Sequence, residues 1–328
     1  MTIRPGRVGA VAIGRNEGER LKRCLSTLVP QADRVVYVDS GSSDGSMAFA
    51  RALGVAVATL DPAVPFTAAR ARNEGFAALM ALGEFDHVQF VDGDCGIEPG
   101  WIDAARDTLD ADPALGIVTG WRTEIEPARN VYHALCEVEW HRPPGEITAC
   151  GGDMMVRAAA FRAAGGFDGA IIASEDEEFC LRLRERTGLL VRRIPRVMTR
   201  HDAAMTRIGE WWRRAVRTGH GFAEVGRLHP CHFLRERRRA WFYGLGLPVL
   251  ALGGAAAGLW WLFALALLAY AVNGVRTARG LVRAGLEPGN AWRQAGFLVL
   301  SKFPNLQGML TYHVRRLRRL PMRIIEYK

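Results

Sequence analysis

The sequence predicts an α/β protein with a mostly parallel sheet covered by helices on both faces. A C-terminal helical hairpin associated with a membrane follows it. Three observations carry this. Apolar strand-like runs alternate with helical runs through the first part of the chain. Polar or acidic clusters close successive strands. No residue from 240 to 275 is charged. Alternation of this kind requires crossover helices and hence parallel strands.

Residues 8–13 form an uninterrupted apolar run, a buried strand, closed by Gly14-Arg15-Asn16-Glu17-Gly18. Residues 19–28 have helical spacing, with Leu21, Cys24, Leu25 and Leu28 on one face. A second strand at 34–38 ends in Asp39-Ser40-Gly41-Ser42-Ser43-Asp44-Gly45, a dense turn signal. Asp44 is placed to cap the helix at 46–53, which Gly54 stops. A third strand spans 55–60, a helix 66–82, and a fourth strand 87–91 delivers Asp92-Gly93-Asp94. A helix at 99–110 and a strand at 116–119 complete the alternation.

From 121 to 144 the periodicity is weak and aromatics are frequent. Gly151-Gly152-Asp153 then precedes a strand at 154–156. A helix at 158–164 is closed by Gly165-Gly166-Phe167-Asp168. An amphipathic helix at 176–186 is capped by Gly188, and 189–191 return to the sheet. Ligands of such sheets lie beyond the carboxyl ends of the strands. The clusters after strands one, two and four all lie there.

The chain has 328 residues, 49% hydrophobic, with a net charge of +9 and a pI of 9.7. Acids gather in the first 180 residues and arginines after them. A basic tail suits nucleic acid, anionic lipid or a phosphorylated substrate. The apolar segment within it selects lipid, and no nucleic-acid partner is expected. Six cysteines show no C-x-x-C pair and no zinc spacing, as expected of reduced thiols. Residues 1–7 carry no signal-peptide pattern, so a cytosolic catalytic domain is expected.

The uncharged 240–275 stretch is too long for one soluble core helix. Pro248, Gly253, Gly254 and Gly258 interrupt it, and both flanks are basic. A single span would leave one basic flank outside, against the positive-inside tendency. A hairpin with arms of about 16 residues, roughly 24 Å each, fits better. It either lies in one leaflet or makes two short spans. A second apolar stretch ends in Val314-Arg315-Arg316-Leu317-Arg318-Arg319. Residues 293–320 are expected to form an interfacial amphipathic segment on anionic lipid. The expected domains are 1–235 and 236–328.

The chemistry lies in two acidic clusters. Asp92-Gly93-Asp94 is a D-x-D motif at a strand end, with carboxylates suited to Mg²⁺ or Mn²⁺ and to a diphosphate bridged by it. Glu175-Asp176 opens a helix, where a carboxylate is well aimed to take a proton from an attacking hydroxyl. Other acids of that turn complement the helix dipole. Asp39 is placed to accept a hydrogen bond from a base or sugar hydroxyl. Of Arg70 and Arg72, one meets a phosphate and the other is solvated. His201 is a candidate third metal ligand beside Asp92 and Asp94, or a phosphate donor. Trp211-Trp212-Arg213-Arg214 suits a membrane interface, an acceptor groove or an ordinary amphipathic helix.

Taken in order, Gly9 to Gly18, Val38 to Ser46, Asp92-Gly93-Asp94, Gly165-Gly166-Phe167-Asp168 and Glu175-Asp176 resemble the family 2 glycosyltransferases. The likeness covers roughly residues 8–220. It implies a GT-A (Rossmann-like) fold and a metal-dependent, inverting glycosyltransferase using a nucleotide-sugar donor and Mn²⁺ or Mg²⁺. By that resemblance Ile13, Arg15, Glu17 and Asp39 line the nucleoside site, and Arg72 reaches the base or phosphate. Asp92, with Gly93, touches the ribose or metal, Asp94 the metal and diphosphate, and Asp176 is the catalytic base with Glu175 beside it. Gly152, Asp153 and Trp140 are the candidate acceptor residues. Two departures stand out. Gly14-Arg15 replaces the usual small or Pro-Tyr turn. The Q-x-x-R-W motif of processive synthases is absent, and Gly209-Glu210-Trp211-Trp212-Arg213 only echoes it, which implies addition of one sugar. The C-terminal region is similar to membrane-attached members acting on lipid-linked or exopolysaccharide intermediates at the cytosolic membrane face. The rival readings are a nucleotidyltransferase acting on a sugar phosphate and an inactive membrane scaffold.

Overall fold

The structure is a computed structural model that describes residues 5–326. The reading of residues 1–7 as a start without a signal peptide falls partly on residues 1–4, which lie outside the described residues. The chain forms two compact units. One comprises Met1–Pro127 and Cys136–Ala204, the other Ala128–Leu135 and Met205–Lys328. The division expected at 235 falls instead after Ala204.

The first unit begins with β1 (Val8–Gly14), α1 (Glu19–Leu28), β2 (Arg34–Asp39), α2 (Ser46–Ala52), β3 (Ala56–Thr59), α3 (Ala68–Ala81) and β4 (His87–Asp92). The strands run parallel in the order β3-β2-β1-β4. Alternation of side chains along each strand feeds two cores, one on each face. Val11, Val36, Val38 and Phe90 point one way. Ala10, Ala12, Tyr37 and Val91 point the other, against Leu21, Leu25 and Trp101. A Cβ on Gly75 of α3 would lie 2.3 Å from Val11 Cγ1, so the missing side chain lets α3 lie close on the sheet.

The rest of this unit comprises β5 (Cys95–Ile97), α4 (Trp101–Ala111), β6 (Leu115–Glu124), α5 (Val131–Trp140), β7 (Gly145–Ile147), β8 (Met154–Arg157), α6 (Ala158–Ala164), α7 (Glu175–Thr187) and β9 (Leu190–His201). The first residues of α5 fall in the second unit. The full order is β3-β2-β1-β4-β8-β6-β9-β5, with β7 on β9. This half of the sheet is mixed. β8 lies antiparallel between β4 and β6, and β5 and β7 lie antiparallel to β9. β6 and β9 run on well past the expected 116–119 and 189–191, parallel as far as Glu124 opposite His201. On these extensions Arg122, Glu124, Thr199 and His201 face a polar cluster rather than a core, which conceals the strands in the sequence.

The second unit holds α8 (Ile208–Leu228), α9 (Leu234–Trp241), a π-helical stretch Phe242–Gly246, α10 (Leu247–Ala256), α11 (Trp260–Arg283), α12 (Pro288–Leu300) and α13 (Lys302–Leu317). α8 and α13 pack at backbone contact. A Cβ on Gly219 would meet Asn305 O at 2.0 Å, and one on Gly308 would meet Val216 O at 2.0 Å. This packing ties α8 to the C-terminal helices and explains the earlier division. It also corrects the expectation for 293–320. The segment breaks at Ser301, and the inner face of α13, with Leu306, Met309 and Tyr312, is buried on protein rather than offered to lipid. Trp211 stacks edge-on against Phe297 at 5.1 Å and Trp212 Nε1 donates to Gln307 Oε1, an ordinary amphipathic role.

α10 and α11 form the expected hairpin, turning at Gly258 with φ +76°. Its arms are unequal. α10 has 10 residues, about 15 Å of helix. α11 has 24, and among the described residues it is the one helix long and apolar enough to cross a membrane. Leu252, Trp260, Trp261, Leu267 and Leu268 are all more than half exposed.

Candidate active site

Strand register sets the site. Gly14 pairs with Asp39 and Ile13 with Asp92, so both acids lie at one end of the sheet on either side of β1. Gly93 N donates to Ile13 O at 2.7 Å, and a Cβ on Gly93 would sit 2.9 Å from that oxygen. Ile13 therefore contributes its backbone here, and its side chain is buried. The loops after β1 and β2 are lashed together. Asn16 N donates to Ser42 Oγ, Ser43 N to Asn16 Oδ1, and Gly18 N to Asp44 Oδ2. Asp44 also accepts from the amide and hydroxyl of Ser46, the capping role expected of it. Arg15 is exposed with its guanidinium 6.0 Å from the Phe66 ring centre, and Glu17 pairs with Arg20.

Asp39 is turned inward. Its Oδ2 accepts from Gly41 N at 2.9 Å and Ser42 N at 2.8 Å, and its Oδ1 from Tyr37 Oη at 2.8 Å. In this arrangement Asp39, expected to meet a base or sugar hydroxyl, shapes the turn after β2.

Arg72 lies at the centre. It is buried, with Nη1 donating to Glu175 Oε1 and Nη2 to Asp92 Oδ1, both at 2.7 Å. A Cβ on Gly152 would lie 2.0 Å from Arg72 Nη2, so Gly152 makes room for the guanidinium. Burial works against the Arg72 charge, but Asp92 and Glu175 outweigh it and hold its pKa above the ordinary value. Arg122 completes the arrangement, with Nη2 2.8 Å from Asp153 Oδ2 and 3.2 Å from Asp92 Oδ2. Burial would raise the Asp92 pKa, yet the two arginines bring it below the ordinary range. Arg70, by contrast, binds Glu74 and the carbonyls of Asp61 and Val64.

Asp92, expected at the ribose or the metal, has each carboxylate oxygen held by an arginine. Asp153, a candidate acceptor residue, is turned into the same network. It is 1% exposed, and it accepts from Asp92 N, Thr199 Oγ1 and Arg122. Buried carboxylates need such partners.

Asp94 and His201 do come together. His201 Nε2 lies 3.3 Å from Asp94 Oδ2, and ligand atoms of Asp94, Cys95 and His201 all fall within 4.8 Å of one another. Glu124 Oε1 holds the other ring nitrogen, Nδ1, the kind of partner that orients a metal-ligating histidine. Trp140 packs edge-on to His201 at 4.7 Å, and the Arg122 guanidinium lies 5.2 Å from its ring centre. Burial pushes the Cys95 thiol far up, so it stays protonated and donates to Asp94. Burial also lowers the His201 pKa, but Asp94 and Glu124 reverse this and leave it raised. A carboxylate and an oriented imidazole fit a divalent cation whose other ligands are oxygens of water and phosphate.

α7 starts beside this network. Ser174 at φ +59° turns the chain into the helix, whose first turn holds Glu175, Asp176, Glu177 and Glu178. Glu178 pairs with Arg182, a structural role. Asp176 is half-buried, accepts from Glu177 N at 2.9 Å, and has Oδ2 3.8 Å from where a Cβ on Gly151 would lie. Burial first, then the Glu175 charge, push its carboxyl up to about 7, with Arg72 pulling the other way.

The fold thus brings together Arg72, Asp92, Gly152, Glu175 and Asp176, and beside them Asp94, His201 and Trp140, with Arg122 bridging Asp92 and Trp140. Sequence reasoning missed Arg122 and Glu124. Their sole signal is alternation along Trp121-Arg122-Thr123-Glu124, on a strand extension whose existence the polar residues concealed.

The mixed sheet, its flanking helices and the acids at its carboxyl end make a GT-A-like fold. Residues 11–163 match the model described as glycosyl transferase family 2. A stretch of 136 residues, 42% of the chain, is 33% identical to a TPR repeat-containing protein of Synechococcus elongatus. The match spans 32% of that relative's length. A mannosyltransferase from Pyrobaculum calidifontis, in complex with GDP-Man and Mn²⁺, superposes with a TM-score of 0.59 at 18% identity, covering 95% of this chain and 88% of that one. Glucosyl-3-phosphoglycerate synthase from Mycobacterium tuberculosis, with Mn²⁺, UDP-Glc and phosphoglyceric acid, gives 0.51 at 16% identity, covering 67% and 79%. At these identities the likeness is one of fold.

Proposed function

We propose that the protein transfers one sugar, with inversion, from a nucleotide-sugar donor to a lipid-linked or exopolysaccharide acceptor at the cytosolic face of a membrane. The observation that carries this reading is Arg72, which joins the D-x-D carboxylate Asp92 to Glu175 and so brings Asp176 to the same end of the sheet. A carboxyl pushed up to about 7 is matched to general-base work near neutrality. Asp176 would take the proton of the acceptor hydroxyl as that oxygen attacks the anomeric carbon. Asp94 and His201 would hold a divalent cation, which supplies charge neutralisation for the departing nucleoside diphosphate. The imidazole favours Mn²⁺, because Mg²⁺ prefers an octahedron of oxygens. Arg15 and Glu17, on the loop that Asp39 and Asp44 help to hold, would meet the nucleoside. Trp140, half-exposed over His201, would meet the acceptor sugar.

The Mn²⁺ and nucleotide-sugar complexes of the two structural neighbours support the donor class and the cation. The exposed apolar hairpin supports membrane attachment. The test is release of nucleoside diphosphate from a panel of nucleotide sugars by the purified full chain, with and without Mn²⁺. Pyrophosphate as the product would instead indicate a nucleotidyltransferase, and no nucleotide product at all would indicate a binding protein.

A further inference from the structure

The second unit contains a cavity of about 690 Å³ between α8, α9 and α13. Arg227 of α8, Arg237 and Arg238 of α9 and His313 of α13 line it, beside the rings of Trp241 and Phe242. The volume falls in the range of ligand clefts.

The charges are uncompensated. Arg227 Nε donates to Tyr312 Oη at 2.6 Å, and Arg237 donates to the carbonyl of Pro230. Arg237 Nε is buried with no acceptor among the described residues. No carboxylate among the described residues pairs with Arg227, Arg237 or Arg238. Neutral acceptors orient these guanidiniums and leave their charge in place. Burial and the neighbouring Arg316 and Arg237 push His313 down, which reflects the positive field there. Arg227 and Arg238 are exposed and Arg237 is half-buried, and the three together set up a positive field that favours an anion.

The cavity's location indicates which anion. α9 carries Arg235, Arg237, Arg238 and Arg239 and runs through Phe242–Gly246 into apolar α10. Trp241 and Phe242 are 38% and 51% exposed at this junction. Basic side chains followed by exposed aromatics mark the depth of lipid headgroups.

We propose that this cavity binds the phosphate of an anionic phospholipid, with Arg227, Arg237 and Arg238 around the phosphate oxygens and Trp241 and Phe242 against the glycerol and first methylenes. The proposal rests on membrane attachment of this region and adds a specific headgroup site to it.

The experiment uses the full chain in neutral detergent and short-chain, monomeric dihexanoyl phosphatidic acid as the probe, followed by calorimetric titration. Dihexanoyl phosphatidylcholine and inorganic phosphate serve as the other arms. Phosphatidic acid should bind saturably. The Arg227→Gln/Arg238→Gln variant should bind it about tenfold more weakly or worse, since each basic contact to anionic lipid is worth about 1 kcal/mol. Arg318→Gln/Arg319→Gln, with the same loss of charge outside the cavity, should bind as the parent does. Equal binding by the cavity variant, or equal affinity for inorganic phosphate alone, overturns the proposal. The second result would mark a soluble-anion site. Flotation on neutral phosphatidylcholine vesicles reads attachment separately. Its failure would overturn the membrane reading itself, whereas flotation without phosphatidic acid binding would overturn the headgroup site alone.

Discussion

Arg72 and Glu175 form a buried ion pair at 2.7 Å, with the two side chains 3% and 5% exposed. The pair ties α3 to the first turn of α7. The same guanidinium reaches Asp92, so one arginine fixes the position of both acidic motifs.

Removing this arginine should be costly. Arg72→Ala leaves Glu175 buried without its partner and Asp92 with only Arg122. Breaking a buried pair from one side destabilises by about 3–5 kcal/mol. Urea denaturation followed by circular dichroism should show a loss in that range. A loss below about 1 kcal/mol, the worth of an exposed pair, would contradict a central role.

Asp176 should govern the pH dependence of both activity and stability. Its carboxyl titrates at about 7 in the folded chain, against about 3.9 unfolded. Between those values the folded state holds a proton that the unfolded state has released. This contribution to stability is therefore full below about pH 4 and is lost as pH rises through 7. Asp176→Asn should remove that slope, seen by comparing denaturation midpoints at acid and neutral pH. Transfer activity should rise through pH 7 in the parent and fall by about 10²–10⁴ in the variant.

Glu124 should act through His201. Glu124→Gln keeps the shape but weakens the hold on Nδ1, and loss of such a partner lowers metal affinity by about 10–100-fold. Mn²⁺ titration followed by electron paramagnetic resonance measures this without any turnover. Because the His201 pKa is raised, protons should compete with Mn²⁺ at a pH above that of an ordinary histidine.

The α8–α13 contact should tolerate no side chain. Gly308→Ala would place its Cβ 2.0 Å from the carbonyl oxygen of Val216, which is backbone and cannot rotate away. Overpacking of this kind costs about 1–3 kcal/mol. Thermal unfolding should register it, while an alanine at Gly274, where a Cβ meets nothing within 4 Å, should be neutral or stabilising.

Local rules made much of the fold legible. Leu21, Cys24, Leu25 and Leu28 recur at helical spacing, and α1 has the expected ends. Apolar runs closed by glycine and acid marked the four parallel strands, and Gly188 stopped α7 in the left-handed conformation as expected. Asp94, His201, Glu175 and Asp176 lie near strand ends and at a helix start, and this is why the sequence could single them out as candidates. The buried hydrogen bonds of Asp39 and Asp153 were not legible, because a carboxylate that binds a ligand and one that holds a turn look alike as letters.

Periodicity and turn chemistry act over a few residues, so the sequence by itself determined the alternation of strands and helices, the acidic strand ends and the uncharged hairpin. Pairing across the sheet brought Glu124 to His201 and Arg122 to Asp153. Packing at glycines set α13 against α8. These depend on which distant segments come into contact, and no local pattern encodes that. Whether a carboxylate is a base, a ligand or a brace depends on the charges and amides around it, and these are brought together only when the chain is folded.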